Sequence, residues 1–175
     1  MQYRLFDTPE YDADVVMTPE WCARDVVEHF QPTGRVLDPC KGDGAFLKYM
    51  PGADWCEIRE GRDFYKWETP VDWIVSNPPY NILREWMRHS MTLAENIVYL
   101  IPVTKVFNSF AAMQELYEWG GPVEVLVYGT GSRLGFPLGF AVGAVHFRRG
   151  YRDGMRVQFR SQNDDVLLRA RLERK

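Results

Sequence analysis

The sequence has no hydrophobic run long enough to cross a membrane, and it has few of the residues that bind structural metals. A membrane-spanning helix needs roughly 18 apolar residues in a row, and the first residues lack the basic-then-apolar order of a signal peptide. The three cysteines contain no Cys-x-x-Cys pair, and the three histidines show no ligand spacing. These absences argue against a membrane protein, a disulfide scaffold and a metal site, and they predict a cytoplasmic protein with reduced thiols.

The sequence also lacks the third small residue of a dinucleotide-binding turn. Gly42 and Gly44 follow a short buried strand, but Leu47 occupies the position where such a turn needs Gly or Ala for close helix packing. NAD is therefore disfavoured. The remaining interpretations are an ordinary α/β turn and a turn that brings backbone N–H groups to a small polar ligand. Asp38 favours the second, because an acid at the end of a strand can hold an ammonium group.

Charge is unevenly distributed along the chain. The 175 residues carry a net charge of −3, whereas residues 148–175 hold nine Lys and Arg against four Asp and Glu. An acidic body is thus followed by a basic tail. The tail keeps a nucleic-acid partner open even though the whole protein is acidic.

Helix and strand patterns alternate along the sequence. This alternation predicts an α/β, Rossmann-like fold in which a mostly parallel sheet carries helices on both faces. We expect one domain over residues 1–175, with a core at 17–147 and a basic β-hairpin at 148–175. The helical segments are TPEWCARDVVEHF, ILREWMRHSMTLA and SFAAMQELYEW, and the strands are RVLDPC, ADWCEI, VDWIVS, NIVYLIPV, VEVLVYG and FAVGAVHF.

Several boundaries follow from local chemistry. The first helix is predicted to have Thr18 as its N-cap, Pro19 in its first turn and Gly34 as its end. A brief helix is expected directly after the Gly-rich turn at residues 38–44. In sheets of this kind, ligands bind at the carboxyl ends of the strands, where both this turn and the sequence NPPY fall.

Residues 77–80, called the NPPY turn below, directly follow the buried strand VDWIVS. Pro78 and Pro79 cannot continue a strand, and each restricts the residue before it to extended geometry, so the turn is rigid. It offers the Asn77 side-chain oxygen and the Pro78 carbonyl as acceptors, with the ring of Tyr80 as a flat surface beside them. Two acceptors and a stacking face suit a planar group that bears an amino group, such as the edge of adenine.

Thr18-Pro19, DPCKGDG, Glu57, Asp63-Phe64 and SNPPY, in this order, resemble the S-adenosylmethionine-dependent amino-methyltransferases. The closest match is the gamma arrangement of the N6-adenine DNA methyltransferases, over residues 17–107. The resemblance implies a class I methyltransferase fold with a seven-stranded sheet, S-adenosylmethionine as cofactor, and DNA as the favoured substrate with its target adenine flipped out. Similar turns occur in RNA adenine and in protein glutamine methyltransferases, so these substrates stay open. A cofactor-binding subunit that is active only with a partner is a further alternative.

The resemblance also implies site residues. Asp38, Gly42 and Gly44 would hold the methionine end of the cofactor, and Glu57 would bind the ribose. Glu60 is a rival to Glu57, because only five residues separate Glu57 from Asp63, where the family usually has a helix. The cofactor-binding set is Thr18, Asp38, Pro39, Cys40, Gly42, Gly44, Glu57, Asp63 and Phe64, with the last two at the adenine. The catalytic set is Asn77, Pro78, Pro79 and Tyr80.

The second face of a flipped base needs another aromatic side chain. The stretch YGTGSRLGFPLGF offers Phe136 or Phe140 for this role. Both residues also fit core positions between two strands, Phe140 slightly better than Phe136. Arg133 in the same stretch would lie near the cleft.

The basic tail is the remaining candidate for contacts with nucleic acid. In the predicted hairpin, Arg156 and Arg160 share one face, while Val157 and Phe159 cover the core. The arginines would either follow a phosphate backbone or keep a sheet face soluble. Because a separate recognition domain is not evident, recognition is expected to come from short loops, from a homodimer or partner subunit, or from a short consensus with weak specificity.

Overall fold

The computed structural model describes residues 16–136 and 139–160, which build one seven-stranded sheet flanked by helices. None of the helices in these ranges is long and apolar enough to span a membrane. The helices are α1 (Glu20–Phe30), α2 (Leu83–Leu93) and α3 (Phe110–Trp119). The strands are β1 (Val36–Asp38), β2 (Asp54–Trp55), β3 (Val71–Ser76), β4 (Ala94–Pro102), β5 (Gly120–Thr130), β6 (Ala141–Arg149) and β7 (Arg156–Phe159). Single 3-10 turns lie at Ile58–Glu60, Phe64–Lys66, Val103–Val106 and Gly131–Leu134.

The sheet is mixed rather than mostly parallel, which corrects the prediction. The strand order is β2-β1-β3-β4-β6-β5-β7. The first four strands in this order pair in parallel, whereas β6 runs antiparallel to both of its neighbours, and β7 joins β5 in parallel. The reversal has a simple cause: the connection between β5 and β6 is too short for the crossover that parallel neighbours require.

Helices cover both faces of the sheet, as predicted. Val98 and Leu100 of β4 pack in the core under α1, whereas Ile97 and Tyr99 pack in the core under α2. The alternation of side chains along β4 thus supplies both cores at once. All four side chains are fully buried, so β4 is the central strand on which the two layers of helices rest.

Two predicted boundaries near the N-terminus are wrong. Pro19 rather than Thr18 occupies the N-cap of α1, and no side chain caps the helix. Gln31, rather than the predicted Gly34, ends it with a left-handed φ of 47°.

The brief helix expected after residues 38–44 is absent. Residues 45–52 form successive turns instead, with hydrogen bonds of the tighter i to i+3 type from the Tyr49 N–H to the Phe46 carbonyl and from the Met50 N–H to the Leu47 carbonyl.

An ionic contact joins the last described strand to the first helix. The guanidinium of Arg160 donates to both carboxylate oxygens of Asp25, at 2.9 and 3.0 Å, and Tyr128 donates its hydroxyl to Asp25 at 2.6 Å. On the same face, Arg156 donates to Glu124 at 3.1 Å. The arginine face of β7 therefore meets carboxylates of the protein itself.

The apolar residues of β7 point away from this face. Val157 is 49% exposed and Phe159 is 75% exposed, which is the reverse of the prediction that they cover the core. The cause is that the α1 side of β7 is occupied by the carboxylates of Asp25 and Glu124, which select the arginines. The second strand of the predicted hairpin lies outside the described residues.

Arg160→Ala should destabilise the protein by about 3 kcal/mol, because it leaves the buried carboxylate of Asp25 without its cationic partner. Arg156→Ala should cost under about 1 kcal/mol, since the Arg156 side chain is 70% exposed. Urea denaturation of both variants measures the difference. The triple variant Asp25→Leu/Tyr128→Phe/Arg160→Met, which also removes the buried hydroxyl that donates to Asp25, should recover most of the loss. Equal losses for the two arginine variants would contradict a dominant Asp25–Arg160 pair.

Candidate active site

The carboxylate of Asp38 is fully buried at the carboxyl end of β1. Its Oδ1 accepts hydrogen bonds from the Ser76 hydroxyl at 2.7 Å and from the Cys40 N–H at 3.2 Å, whereas its Oδ2 has no partner among the described residues. Burial raises the pKa of Asp38 to about 7, against the opposing effect of the two hydrogen bonds. A buried acid with one free oxygen is an acceptor prepared for a donor from outside the chain.

The backbone that follows Asp38 needs glycine at two positions. Gly42 and Gly44 have φ values of 52° and 81°, in the left-handed region that glycine adopts without strain. The N–H of Gly42 donates to Oε2 of Glu57 at 2.9 Å. The Gly-rich turn is thereby fixed to the end of β2, and the charge of Glu57 is close enough to raise the pKa of Asp38 further.

The two acids that compete for the ribose role lie in different settings. Glu57 is half-buried and contacts the Gly-rich turn, and its Oε1 also caps the next turn by accepting from the Arg59 N–H at 3.2 Å. Glu60 is exposed and forms an ion pair with Lys41. Of the two acids, Glu57 is thus the one that touches the Gly-rich turn.

The residues predicted for the adenine end lie on the 3-10 turn Phe64–Lys66. Asp63 caps this turn by accepting from the Tyr65 N–H at 3.0 Å. Phe64 is 2% exposed, with its ring centroid 4.7 Å from both Trp86 and His89. In this conformation α2 covers the ring of Phe64. The contact of Phe64 with a cofactor ring therefore stays a prediction. The neighbouring Tyr65 is more accessible, at 40% exposed.

The side chain of Asn77 is held at both ends. Its Nδ2 donates to the Val16 carbonyl at 2.8 Å, and its Oδ1 accepts from the Tyr80 hydroxyl at 2.7 Å. The same hydroxyl lies 3.2 Å from the Leu100 carbonyl. Tyr80 is only 7% exposed, so its ring is not the free flat surface that the sequence predicts; its hydroxyl finds both acceptors inside the fold. Its stacking on a base stays a prediction.

The structure brings the Gly-rich turn and the NPPY turn together at the carboxyl ends of β1 and β3. β1 and β3 are parallel neighbours, and Ser76 binds Asp38 while the next residue is Asn77. The segment before α1 spans both motifs: Val16 binds Asn77, and the sulfur of Met17 lies against Gly42. Of the other predicted residues, Thr18 and Cys40 are half-buried beside these contacts, and Pro39, Pro78 and Pro79 complete the two turns.

Two residues of this arrangement were missed by the sequence analysis. Ser76 stands inside the quoted motif SNPPY, so its position next to Asn77 was a usable signal. Val16 acts through its backbone carbonyl, which no side-chain pattern reveals. Within the described ranges, no group of three or more His, Cys, Asp or Glu residues could hold a metal ion.

The burial of the two candidate stacking residues is the reverse of the expectation. Phe136 is 3% exposed and packs in the core on the α1 side, whereas Phe140 is 57% exposed. The cause is a tight turn in which the Phe136 N–H donates to the Gly131 carbonyl at 2.9 Å and so draws Phe136 inward. Arg133 is half-buried and packs over Gly129. Gly129 has a φ of 104°, which suits glycine, and Arg133 fills the space that a side chain at this position would need.

The two arginines predicted to contact nucleic acid are not beside the NPPY turn. Arg156 and Arg160 belong to or directly follow β7, which is four strands from β3 in the sheet, a distance of roughly 19 Å at the usual strand spacing. Both also pair with carboxylates of the protein. The sequence could not show this, because their partners lie more than 30 residues away.

The buried Asp38 should make stability depend on pH. Its folded-state pKa, about 7, lies above its ordinary value of 3.8, so the folded protein holds a proton that the unfolded chain releases between these values. The free energy of unfolding of the wild type, relative to Asp38→Asn, should therefore fall as pH rises from about 4 to about 7 and stay level above that. Urea titrations at several pH values test this; Asp43→Asn, in an exposed position of the same turn, is the control. A constant difference between wild type and Asp38→Asn contradicts the assignment.

The same fold occurs in solved structures of methyltransferases. A protein of Listeria monocytogenes that is assigned to the class I S-adenosylmethionine-dependent methyltransferases has a TM-score of 0.63 and 13% identity, over 90% of this chain and 70% of that chain. A modification subunit assigned to a type I restriction enzyme of Vibrio vulnificus has a TM-score of 0.62 and 14% identity, over 85% and 47%. A protein of Pyrococcus horikoshii that is assigned as an RNA methyltransferase has a TM-score of 0.57 and 12% identity, over 82% and 91%.

These likenesses concern the fold. No protein-family model and no curated protein matches the sequence, and the identities to the solved structures are all low. The chain spans about half the length of the Vibrio vulnificus subunit, at 47%. What the chain shares with these methyltransferase structures is therefore the Rossmann-like fold.

Proposed function

We propose that this protein is an S-adenosylmethionine-dependent methyltransferase that acts on the N6 amino group of adenine in DNA. The observation that carries the proposal is the placement of two different acceptors at adjoining strand ends. Asp38 offers a buried carboxylate with a free oxygen, and Asn77 offers an amide held in a fixed orientation. The shared methyltransferase fold and the order of the sequence motifs support the same conclusion.

The residues around the Gly-rich turn fit the cofactor. The free Oδ2 of Asp38 can accept from the ammonium of the methionine end. Glu57, next to the N–H of Gly42, has the acceptors that ribose hydroxyls need, and Asp63 with Phe64 remains the proposed adenine end. When bound, S-adenosylmethionine supplies an electrophilic methyl group on a positively charged sulfur.

Asn77 and Pro78 would act on the target amine. The lone pair of an exocyclic adenine nitrogen is delocalised into the ring, and acceptors on both hydrogens favour the pyramidal form in which the pair is available. Positive charge moves onto this nitrogen during attack, so the two acceptors bind the transition state more strongly than the ground state. The methylated nitrogen then releases a proton to water.

The hydroxyl of Tyr80 would yield its place on Asn77 to the incoming amine. In the present conformation this hydroxyl donates to Oδ1 of Asn77, which is the acceptor that the substrate needs. Because the same hydroxyl also lies 3.2 Å from the Leu100 carbonyl, it keeps a partner after the exchange. The exchange therefore leaves no buried donor without a hydrogen bond.

DNA is proposed over RNA or a protein glutamine because Thr18-Pro19 precede the Gly-rich turn, as in the gamma arrangement. The exposed ring of Phe140 is the better candidate for the second face of a flipped base, with Arg133 in the same loop.

A second candidate function is that of a cofactor-binding subunit that needs a partner. It is favoured by the Vibrio vulnificus neighbour, which is itself a subunit, and a homodimer would be the simplest form of such an assembly.

Incubation with labelled S-adenosylmethionine and separate pools of duplex DNA, single-stranded DNA and structured RNA, followed by nucleoside mass spectrometry, tests the proposal. We expect N6-methyladenine in DNA. Asn77→Ala should lower turnover by about a hundredfold or more with cofactor affinity little changed. Asn96→Ala should behave as the wild type, because Asn96 lies near the start of β4, at the end of the strands opposite to the NPPY turn. Methylation of RNA alone would refute the DNA assignment. Cofactor binding without any methylated nucleoside would favour the partner-dependent subunit or a protein substrate.

Cofactor affinity should fall at low pH if Asp38 binds the ammonium group. The carboxylate must be ionised to bind it, and the pKa of Asp38 in the free protein is about 7. The association constant should therefore decrease towards tenfold per unit as the pH falls below 7. Isothermal titration calorimetry measures it. Asp38→Asn should weaken cofactor binding strongly and abolish its pH dependence. Asp43→Asn should keep the wild-type affinity and the wild-type pH dependence. An unchanged affinity in Asp38→Asn would place the ammonium elsewhere.

A further inference from the structure

A groove with a volume of about 310 Å³ runs between α2 and α3 and opens beside the NPPY turn. Tyr80 and Asn81 line the groove next to this turn, and neither the proposed cofactor site nor the proposed amine acceptors use the rest of it. Its volume falls at the lower end of the range for small-molecule sites. The walls are mainly apolar, formed by Met87, Met91, Ile101, Val106, Leu116 and Phe147.

An ionic contact joins the two helices beside the groove. Glu115 of α3 accepts from Arg84 at 2.6 Å and from Arg88 at 2.6 and 2.8 Å, both on α2. These two guanidinium groups lower the pKa of Glu115 to about 2. Although Leu116 and Trp119 of α3 pack partly against the core, α3 contributes no fully buried residue, so it does not fill the groove.

The lining of the groove includes a cation. Lys105 is half-buried and lines the groove, and no carboxylate in the part of the chain that the structure describes forms an ion pair with it. A cation beside apolar walls has the chemistry that binds a nucleotide: the cation for the phosphate and the apolar surface for the base.

We propose that the α2–α3 groove binds the unstacked nucleotide next to the target adenine, with its phosphate at Lys105 and its base against the apolar walls. This inference rests on the proposed function, because the groove matters for nucleic acid only if the NPPY turn holds the target base. A nucleotide in the groove cannot remain paired. Binding to duplex DNA therefore requires that pairing is broken at two adjacent positions, so single-stranded DNA binds more tightly than duplex DNA.

Filling the groove provides a matched test. Ala112 lines the groove, whereas its neighbour Ala111 does not and is exposed. Ala112→Trp should weaken the binding of an adenine-containing single-stranded oligonucleotide at least tenfold in fluorescence anisotropy and raise its KM by a similar factor. Ala111→Trp should behave as the wild type. Both variants should bind S-adenosylmethionine normally, which shows that they are folded.

The contribution of Lys105 can be tested by charge. Lys105→Ala should raise the dissociation constant of the same oligonucleotide several-fold and lower the slope of log affinity against log salt by about one. Lys105→Arg should restore most of the affinity. Lys48→Ala, which removes the same charge from the exposed Lys48–Glu20 pair, should leave the salt slope unchanged.

The outcomes separate this inference from the proposed function. If the wild type methylates DNA and Ala112→Trp binds and turns over like Ala111→Trp, the groove assignment is wrong and the proposed function stands. If the wild type binds the oligonucleotide without methylating any nucleic acid, and Ala112→Trp loses that binding, the groove is a nucleotide site, whereas the proposed function falls and with it the placement of a target adenine beside the groove. A wild type that neither binds nor methylates overturns both, and tighter binding of duplex than of single strands overturns the groove assignment.

Discussion

The burial of one carboxylate, that of Asp38, is the constraint on which the rest of the site depends. Removing this group from water is costly, and the fold compensates only part of the cost, through the hydroxyl of Ser76 and the N–H of Cys40. These two donors fix the end of β3 and the start of the Gly-rich turn. Asn77 follows Ser76 directly, so the contact that satisfies the buried acid also sets the position of the NPPY turn. Among the described residues, one oxygen of Asp38 has no hydrogen-bond partner, which is why the compensation within this part of the chain is incomplete.

The sequence was most informative where the backbone itself is restricted. The backbone is restricted by proline at 78 and 79, and glycine at 42 and 44 indicates turns with positive φ. Runs of β-branched residues indicate the strands. The direction of β6 and the orientation of β7 depend instead on connection length and on distant partners. The alternation in β7 defined two faces correctly, but Asp25 and Glu124 decided which of them turns inward. The burial of Tyr80 and Phe136, and the contact from the Val16 carbonyl, likewise depend on backbone groups that residue types do not report.

The two halves of the sheet are stabilised in different ways. Around β3 and β4, side chains pack into two apolar cores, and the proposed site lies at the carboxyl ends of these strands. Away from these strands, guanidinium–carboxylate contacts help to hold α3 and β7, and several of their apolar residues, among them Phe110, Tyr117 and Phe159, are exposed. Ion pairs depend on geometry more than on area, so they position an element without covering it. Beside α3, the apolar walls of the α2–α3 groove stay unfilled.

The contact between α1 and β7 links two parts of the chain that are made at different times. The carboxylate of Asp25 and the guanidinium of Arg160 are 135 residues apart. While the chain emerges from the ribosome, α1 therefore carries an acid that cannot find its cation until almost all of the described residues have been synthesised. Closing a contact of such long sequence separation has a high entropic cost. The ion pair can form only after residue 160 has been made, and a chain released earlier would leave this acid without its cation.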